Sequence, residues 1–175
     1  MSQYDVIFFD LDGTITESGL GITNSIRHAL KKFGIIEDDQ EVLNKFVGPP
    51  LSETFTKIYG FTEEQCMQGV VWFREYYEVK GIFENSVYDG IEETLKKLHD
   101  AGKRIVIATS KPEPMAVQVV DHFGLAKYFE RVAGSTMDET RTAKADVIAY
   151  ALEECGLTDQ SKILMVGDRR HDIVG

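Results

Sequence analysis

Apolar positions along the chain follow two patterns. Val6-Ile7-Phe8-Phe9 is apolar throughout and rich in β-formers, the mark of a strand buried on both faces of a parallel sheet. Arg104-Ile105-Val106-Ile107-Ala108 and Lys162-Ile163-Leu164-Met165-Val166 read the same way, and Arg131-Val132-Ala133-Gly134 is a weaker, shorter version. Between them the period is helical. Ile91, Leu95 and Leu98 form one stripe before Ala101-Gly102; Ala116, Val119, Val120 and Phe123 form another before Gly124; Val147, Ile148, Ala151 and Leu152 form a third, starting near Lys144 and ending at Gly156. Strands alternating with helices predict parallel βαβ units and an α/β fold.

The segment between the first two strands is different. Ile22, Ile26, Leu30 and Phe33 predict a long helix stopped by Gly34, and Val42, Leu43 and Phe46 a short one. Val47-Gly48-Pro49-Pro50 must break the short helix, because two prolines cannot continue it. Phe55, Ile58 and Tyr59 predict a third helix closed by Gly60. Thr62-Glu63-Glu64-Gln65 has the form of a capping box, opening a fourth helix that carries Met67, Val70, Val71 and Tyr77. Residues 16–84 therefore read as a helical bundle with no strand pattern, inserted into an α/β domain made of 1–15 and 85–175.

The three strong strands all end on polar groups: Asp10 and Asp12, then Thr109, Ser110 and Lys111, then Asp168 and Asp172. In an open parallel sheet ligands bind at the carboxyl ends of the strands, so these groups converge if the strands are neighbours. Carboxylates gathered at one point repel unless a cation lies among them. Oxygen ligands without His or Cys favour Mg2+, and a bound divalent cation favours an oxyanion such as phosphate, for which a hydroxyl and a lysine are natural partners.

Composition narrows the picture. In 175 residues the formal net charge is −10, against nucleic-acid binding, though a local cation can still attract a phosphate. The two cysteines, Cys66 and Cys155, fit no metal spacing or disulfide framework. No signal peptide or membrane-length apolar run is evident, so a cytoplasmic protein, monomeric or weakly dimeric and without membrane partners, is expected. His28, His99, His122 and His171 are expected to be structural or solvated. Trp72 and the Tyr76-Tyr77 pair read as bundle core or surface, with contact to a base as the alternative.

The polar strand ends resemble the motifs of the haloacid dehalogenase superfamily of phosphatases. Asp10-Leu11-Asp12-Gly13-Thr14 matches the first motif, Thr109 the second, Lys144 the third, and Gly167-Asp168 with Asp172 the fourth. Ala145 follows Lys144 where many relatives carry proline, which leaves Arg141 as the alternative cation. The insert is similar to the superfamily's small helical cap. Within it Gly48-Pro49-Pro50-Leu51 is similar to a loop of phosphoglycolate phosphatases and of a branch of 5′-nucleotidases.

The resemblance implies a Rossmann-like core and hydrolysis of a small phosphomonoester. Asp10 would be the nucleophile, giving an aspartyl-phosphate, and Asp12 the acid and base. Thr109, Ser110, Lys111, Lys144, Gly48 and Pro49 would contact substrate, with the cap excluding water. Mg2+ would be held by Asp10, by Asp12 through its backbone carbonyl, and by Asp168; Asp172 would bind through water or orient Asp168. A phosphomutase would share this machinery. A dehalogenase should lack Asp12, and a phospho-accepting receiver module should lack the large insert. The resemblance also implies a further strand and helices after Gly175. On that expectation the chain is part of a protein of roughly 210 to 220 residues, with the last strand an unpaired edge and Ile163, Met165 and Ile173 uncovered.

Overall fold

In the computed structural model, which describes residues 3–138, 140–169 and 172, four parallel strands form the central sheet in the order β5-β4-β1-β6. These are β1 (Val6–Phe9), β4 (Arg104–Pro112), β5 (Arg131–Ser135) and β6 (Ile163–Val166). All of β1 is buried, as an unbroken apolar run in the middle of a parallel sheet requires. Its last residue, Phe9, pairs with Ile107 of β4 on one side and Val166 of β6 on the other. The polar groups that follow these three strands therefore emerge at the same level.

Strand β4 runs farther than its apolar stretch. The sequence predicts an end at Ala108, but pairing with β5 resumes at Pro112, opposite Ser135, after a register shift. The irregular stretch carries Thr109, Ser110 and Lys111. Thr109 and Lys111 are buried, whereas Ser110 is exposed, so alternation along the strand turns the first two to one side and the third away.

Helices α5 (Ile91–Asp100), α6 (Glu113–His122) and α7 (Lys144–Glu154) pack on the sheet. Val6 and Phe8 of β1, Val106 and Ala108 of β4, and Ala133 of β5 form one buried face with Val147 and Ala151 of α7. Ile163 and Met165, expected to be uncovered, are half-buried against this cluster. Among the described residues β6 pairs only with β1 and ends the strand order. Ile173 and His171 lie outside the described residues.

The chain divides into two compact units. One consists of the described residues of Met1–Glu17 and Ser86–Gly175, and the other of Ser18–Asn85. The second holds α1 (Gly19–Lys32), α2 (Gln40–Asn44), α3 (Leu51–Tyr59) and α4 (Glu63–Tyr77). The capping box at Thr62 and Gln65 is formed, and Gly60 closes α3 in the left-handed conformation at φ 65°. On α4 the inward face is Cys66, Gly69, Phe73 and Tyr77, not the Met67 and Val71 of the expected stripe, which are 59% and 52% exposed. Gly69 is the reason: a Cβ there would lie 3.0 Å from the Phe55 ring, so α3 approaches α4 over the glycine. Trp72 is partly buried, edge-on to Phe33 with ring centroids 4.6 Å apart.

Two strands fall outside the sequence reading. Thr16–Glu17 (β2) pairs antiparallel with Ser86–Val87 (β3), where the chain leaves and re-enters the first unit. Strands of two residues carry no readable period.

Candidate active site

Asp10 is the first residue beyond β1. Its N–H donates to Val166 O at 2.9 Å, which ties it to β6, and its side chain is buried. The chain then turns around Leu11, whose carbonyl accepts the N–H groups of Thr14, Ile15 and Thr16 at 3.3, 2.9 and 3.0 Å. Gly13 makes this possible. It has φ 88°, and a Cβ there would lie 2.7 Å from Asp168 Cγ. The loop thus passes directly over the carboxylate that follows β6.

Asp168 and Asp172 come from the segment after β6. The Arg169 N–H donates to Asp172 Oδ2 at 3.0 Å, and Asp172 N–H donates to Arg169 O at 3.1 Å, a local turn that fixes the second acid. A Cβ on Gly167 would overlap the Asp172 carboxyl, so the residue before Asp168 must be glycine. Asp10, Asp168 and Asp172 each offer an oxygen, and these oxygens lie within 4.8 Å of one another.

Lys144 opens α7 and is buried. Its Nζ lies 2.9 Å from Asp10 Oδ1 and 2.8 Å from Asp172 Oδ1, and it donates to Ala108 O at 3.0 Å. Lys144 thus pairs its charge with two carboxylates and hydrogen-bonds one carbonyl, each from a different element. Lys111 makes a separate pair: its Nζ lies 3.1 and 3.0 Å from the two carboxylate oxygens of Asp12. Thr109 is buried, and its Oγ1 accepts the Lys111 N–H at 3.3 Å. Burial pushes the Asp10 carboxyl above its ordinary value; the Lys144 charge and hydrogen bonds from Lys144, the Leu11 N–H and Thr109 oppose this without cancelling it.

The cluster suits a hard cation. Its donors are all carboxylate oxygens, the set that Mg2+ prefers. Lys144 is shared between two of the three acids, Asp10 and Asp172. The family described as haloacid dehalogenase-like hydrolase has a model that matches residues 7–175. The chain belongs to this family. It is similar to a 5′-nucleotidase of Pseudomonas aeruginosa, with 42% identity over 173 residues, 99% of this chain and 78% of that protein. It is also similar to the tyrosine-protein kinase PtkA of Mycobacterium tuberculosis, with 40% identity over 170 residues, 97% of this chain and 57% of that protein. A crystal structure from Clostridium difficile superimposes with a TM-score of 0.92 at 44% identity, covering 99% of this chain and 80% of that one.

Within this hydrolase family's fold the first unit brings Asp10, Asp12, Thr109, Lys111, Lys144, Asp168 and Asp172 to the ends of β1, β4 and β6 and the start of α7. The Asp12 carboxylate is taken by Lys111 and stands outside the three-acid group. Ser110 is exposed. Gly48 and Pro49 belong to the other unit, on the exposed turn between α2 and α3. Arg141, the alternative to Lys144, is engaged elsewhere: its guanidinium carbon lies 3.6 Å from the Tyr150 ring centroid, and its Nε donates to Gly134 O at 3.1 Å. Sequence reasoning missed two features, the Ala108 carbonyl as a Lys144 acceptor and the pairing of Lys111 with Asp12. The alternation of Thr109 and Lys111 was the available signal for the second.

Proposed function

We propose that this chain hydrolyses a small phosphomonoester, phosphoglycolate-like or nucleotide-like, by way of an aspartyl-phosphate on Asp10. That it is a phosphatase rests on the family and on relatives such as the 5′-nucleotidase. The observation that carries the mechanism is Lys144 Nζ lying between Asp10 and Asp172 with Asp168 completing the group. A carboxylate held this way is oriented, buried and available as a nucleophile.

Asp10 attacks phosphorus in line, forming a P–O bond to its carboxylate as the ester P–O bond breaks. Asp12 relays a proton to the leaving alkoxide and recovers one from the water whose oxygen attacks phosphorus as the bond between Asp10 and phosphorus breaks, so each turnover returns Asp12 to its starting state. Thr109 donates to a phosphoryl oxygen, and Lys144 offsets the charge that builds beside Asp10. Lys111 holds the Asp12 carboxylate in place. Asp10, Asp168 and the Asp12 carbonyl, with Asp172 directly or through water, would hold Mg2+, which when bound neutralises charge between the acids and the phosphoryl group. The inserted helical unit, with Gly48 and Pro49, selects among substrates in this reading.

The test is a phosphate-release screen over metabolite monoesters with Mg2+, followed by an acid quench and peptide mapping. A phosphorylated peptide carrying Asp10 is expected. Turnover without that adduct, or an Asp10→Asn enzyme within about tenfold of wild type, overturns the mechanism. The similarity to PtkA favours a second reading, transfer of the phosphoryl group to a tyrosine hydroxyl instead of water. Supplying ATP with a tyrosine peptide in parallel separates the two: phosphopeptide without phosphomonoester hydrolysis would favour transfer.

A further inference from the structure

Helix α7 starts at Lys144 with no side-chain cap, because Ala143 occupies the N-cap. Something else must hold the helix start, since Lys144 has to meet Asp10, Asp172 and Ala108 O at once. Arg141 stands three residues earlier and is partly buried. Its guanidinium stacks at 3.6 Å on the ring of Tyr150, a residue of α7 itself. Its Nε donates to Gly134 O, at the end of β5, and its NH2 lies 3.7 Å from Glu113 Oε2, the residue that opens α6 after β4.

The surroundings of Arg141 are tied as tightly. Its N–H donates to Thr136 Oγ1 at 3.0 Å and its carbonyl accepts the Thr136 N–H at 3.1 Å, closing the β5–α7 loop on itself. Gly134 N–H donates to Glu113 Oε2 at 3.2 Å. A Cβ on Gly134 would lie 2.5 Å from Glu113 Cα and 2.6 Å from Lys111 O, so β5 ends pressed against the stretch that carries Thr109 and Lys111. Arg131 joins from β5, donating to Tyr150 Oη at 2.6 Å and Glu113 Oε1 at 3.2 Å.

We propose that Arg141 is the positioning residue for Lys144: stacked on Tyr150, hydrogen-bonded to Gly134 O and ion-paired with Glu113, it sets where α7 begins relative to β4 and β5, and so where the Lys144 ammonium meets Asp10 and Asp172. The inference rests on the reading of Lys144 as part of the active site, but the contact it explains exists without any substrate. Arginine suits the task because its planar group stacks and donates at once, which lysine's ammonium cannot do. Misplacement by about one ångström costs on the order of 100-fold in rate where a charged group must meet a reacting centre.

The test uses the intact chain and the variants Arg141→Ala, Arg141→Lys, Tyr150→Leu and Tyr150→Phe. The first readout is acetylation of Lys144 by an N-hydroxysuccinimidyl ester, followed by peptide mapping, which needs no substrate. Wild type and Tyr150→Phe, which keeps the ring, are expected to protect Lys144. Arg141→Ala, Arg141→Lys and Tyr150→Leu are expected to label it at least roughly tenfold faster at a temperature where circular dichroism shows each folded. The second readout is steady-state kinetics on whichever monoester the wild type hydrolyses: kcat should fall roughly 10- to 100-fold with KM changed much less. If Arg141→Ala fails to fold, Arg141→Lys and Tyr150→Leu decide. Folded variants that melt lower but protect Lys144 as wild type does, or that keep kcat within about twofold, overturn the proposal. A wild type that hydrolyses nothing defeats the functional reading and leaves the labelling result to judge the positioning.

Discussion

Lys111 Nζ lies 3.1 and 3.0 Å from the two carboxylate oxygens of Asp12, and the lysine side chain is only 3% exposed. The pair draws the Asp12 carboxylate out of the group formed by Asp10, Asp168 and Asp172. Two acids separated by one residue thereby take different partners, as the proposed roles of nucleophile and proton carrier require. Replacing Lys111 with Met keeps most of the apolar stem and frees Asp12. We expect kcat to fall on the order of 10- to 100-fold, less than the roughly 100- to 10,000-fold that a positioned acid–base group contributes, because Asp12 itself remains. Steady-state kinetics checks this, and a change under about twofold would show that the pair does not serve the reaction.

Gly13 gives a second test. Its φ of 88° and the overlap of an added Cβ with the Asp168 carboxylate mean that Gly13→Ala strains the turn and displaces Asp168, a proposed Mg2+ ligand. Gly102 is the matched control, with φ 73° and nothing within 4 Å of an added Cβ. Both alanines should cost about 1 kcal/mol for the left-handed backbone. Only Gly13→Ala should weaken Mg2+ binding, by roughly 10- to 100-fold, the usual scale for disturbing groups that orient metal ligands. Titration calorimetry on both proteins reads the difference, and equal Mg2+ affinities would remove Asp168 from the site.

Much of this was readable in the sequence, for a physical reason. A strand buried on both faces must be apolar at every position, so Val6–Phe9 announces itself, and the polar residues after it stand out against that run. The capping box at Thr62 is equally local. What could not be read depends on neighbours distant in the chain. The inward face of α4 centres on Gly69, which carries no hydrophobic signal and is selected because the Phe55 ring needs the space. The extension of β4 past Ala108 is set by pairing with Ser135, not by its own residues. In sequence Lys144 is the motif match and Arg141 its alternative; the ring of Tyr150 and the three oxygens around Lys144 separate them.

The proposed metal dependence is open to a direct test. EDTA should abolish phosphate release and Mg2+ should restore it, since three carboxylate oxygens lie within 4.8 Å of one another and Lys144 pairs with only two of these acids. Ca2+ should occupy the same oxygens and inhibit, because it takes more ligands at longer distances and would set the nucleophile loosely. Phosphate release measured with each ion in turn checks both expectations, and full activity in EDTA would defeat them.

Asp10→Asn should separate catalysis from stability, with a sign that depends on pH. Burial holds the folded Asp10 carboxyl above its ordinary value, despite Lys144. A group whose pKa is raised by folding contributes stability that is fully present below the unfolded value near 3.8 and lost as pH rises through the higher folded value. Above that window the ionised, buried Asp10 costs stability. Asparagine is nearly the same shape and carries no charge, and Lys144 keeps Asp172 and Ala108 O as partners. In metal-free buffer, then, Asp10→Asn should melt higher than wild type at neutral pH, and the gain should shrink as the pH is lowered into the ordinary carboxylate range. Turnover should be lost at every pH, by more than roughly 1,000-fold, since the amide is no nucleophile. Added Mg2+ should reverse the order of stability by binding the wild type more tightly. Calorimetric melting of both proteins across the acid range, with EDTA and then with Mg2+, measures each part. A variant that melts lower than wild type in EDTA at neutral pH would mean that the Asp10 charge pairs favourably with Lys144 despite its burial.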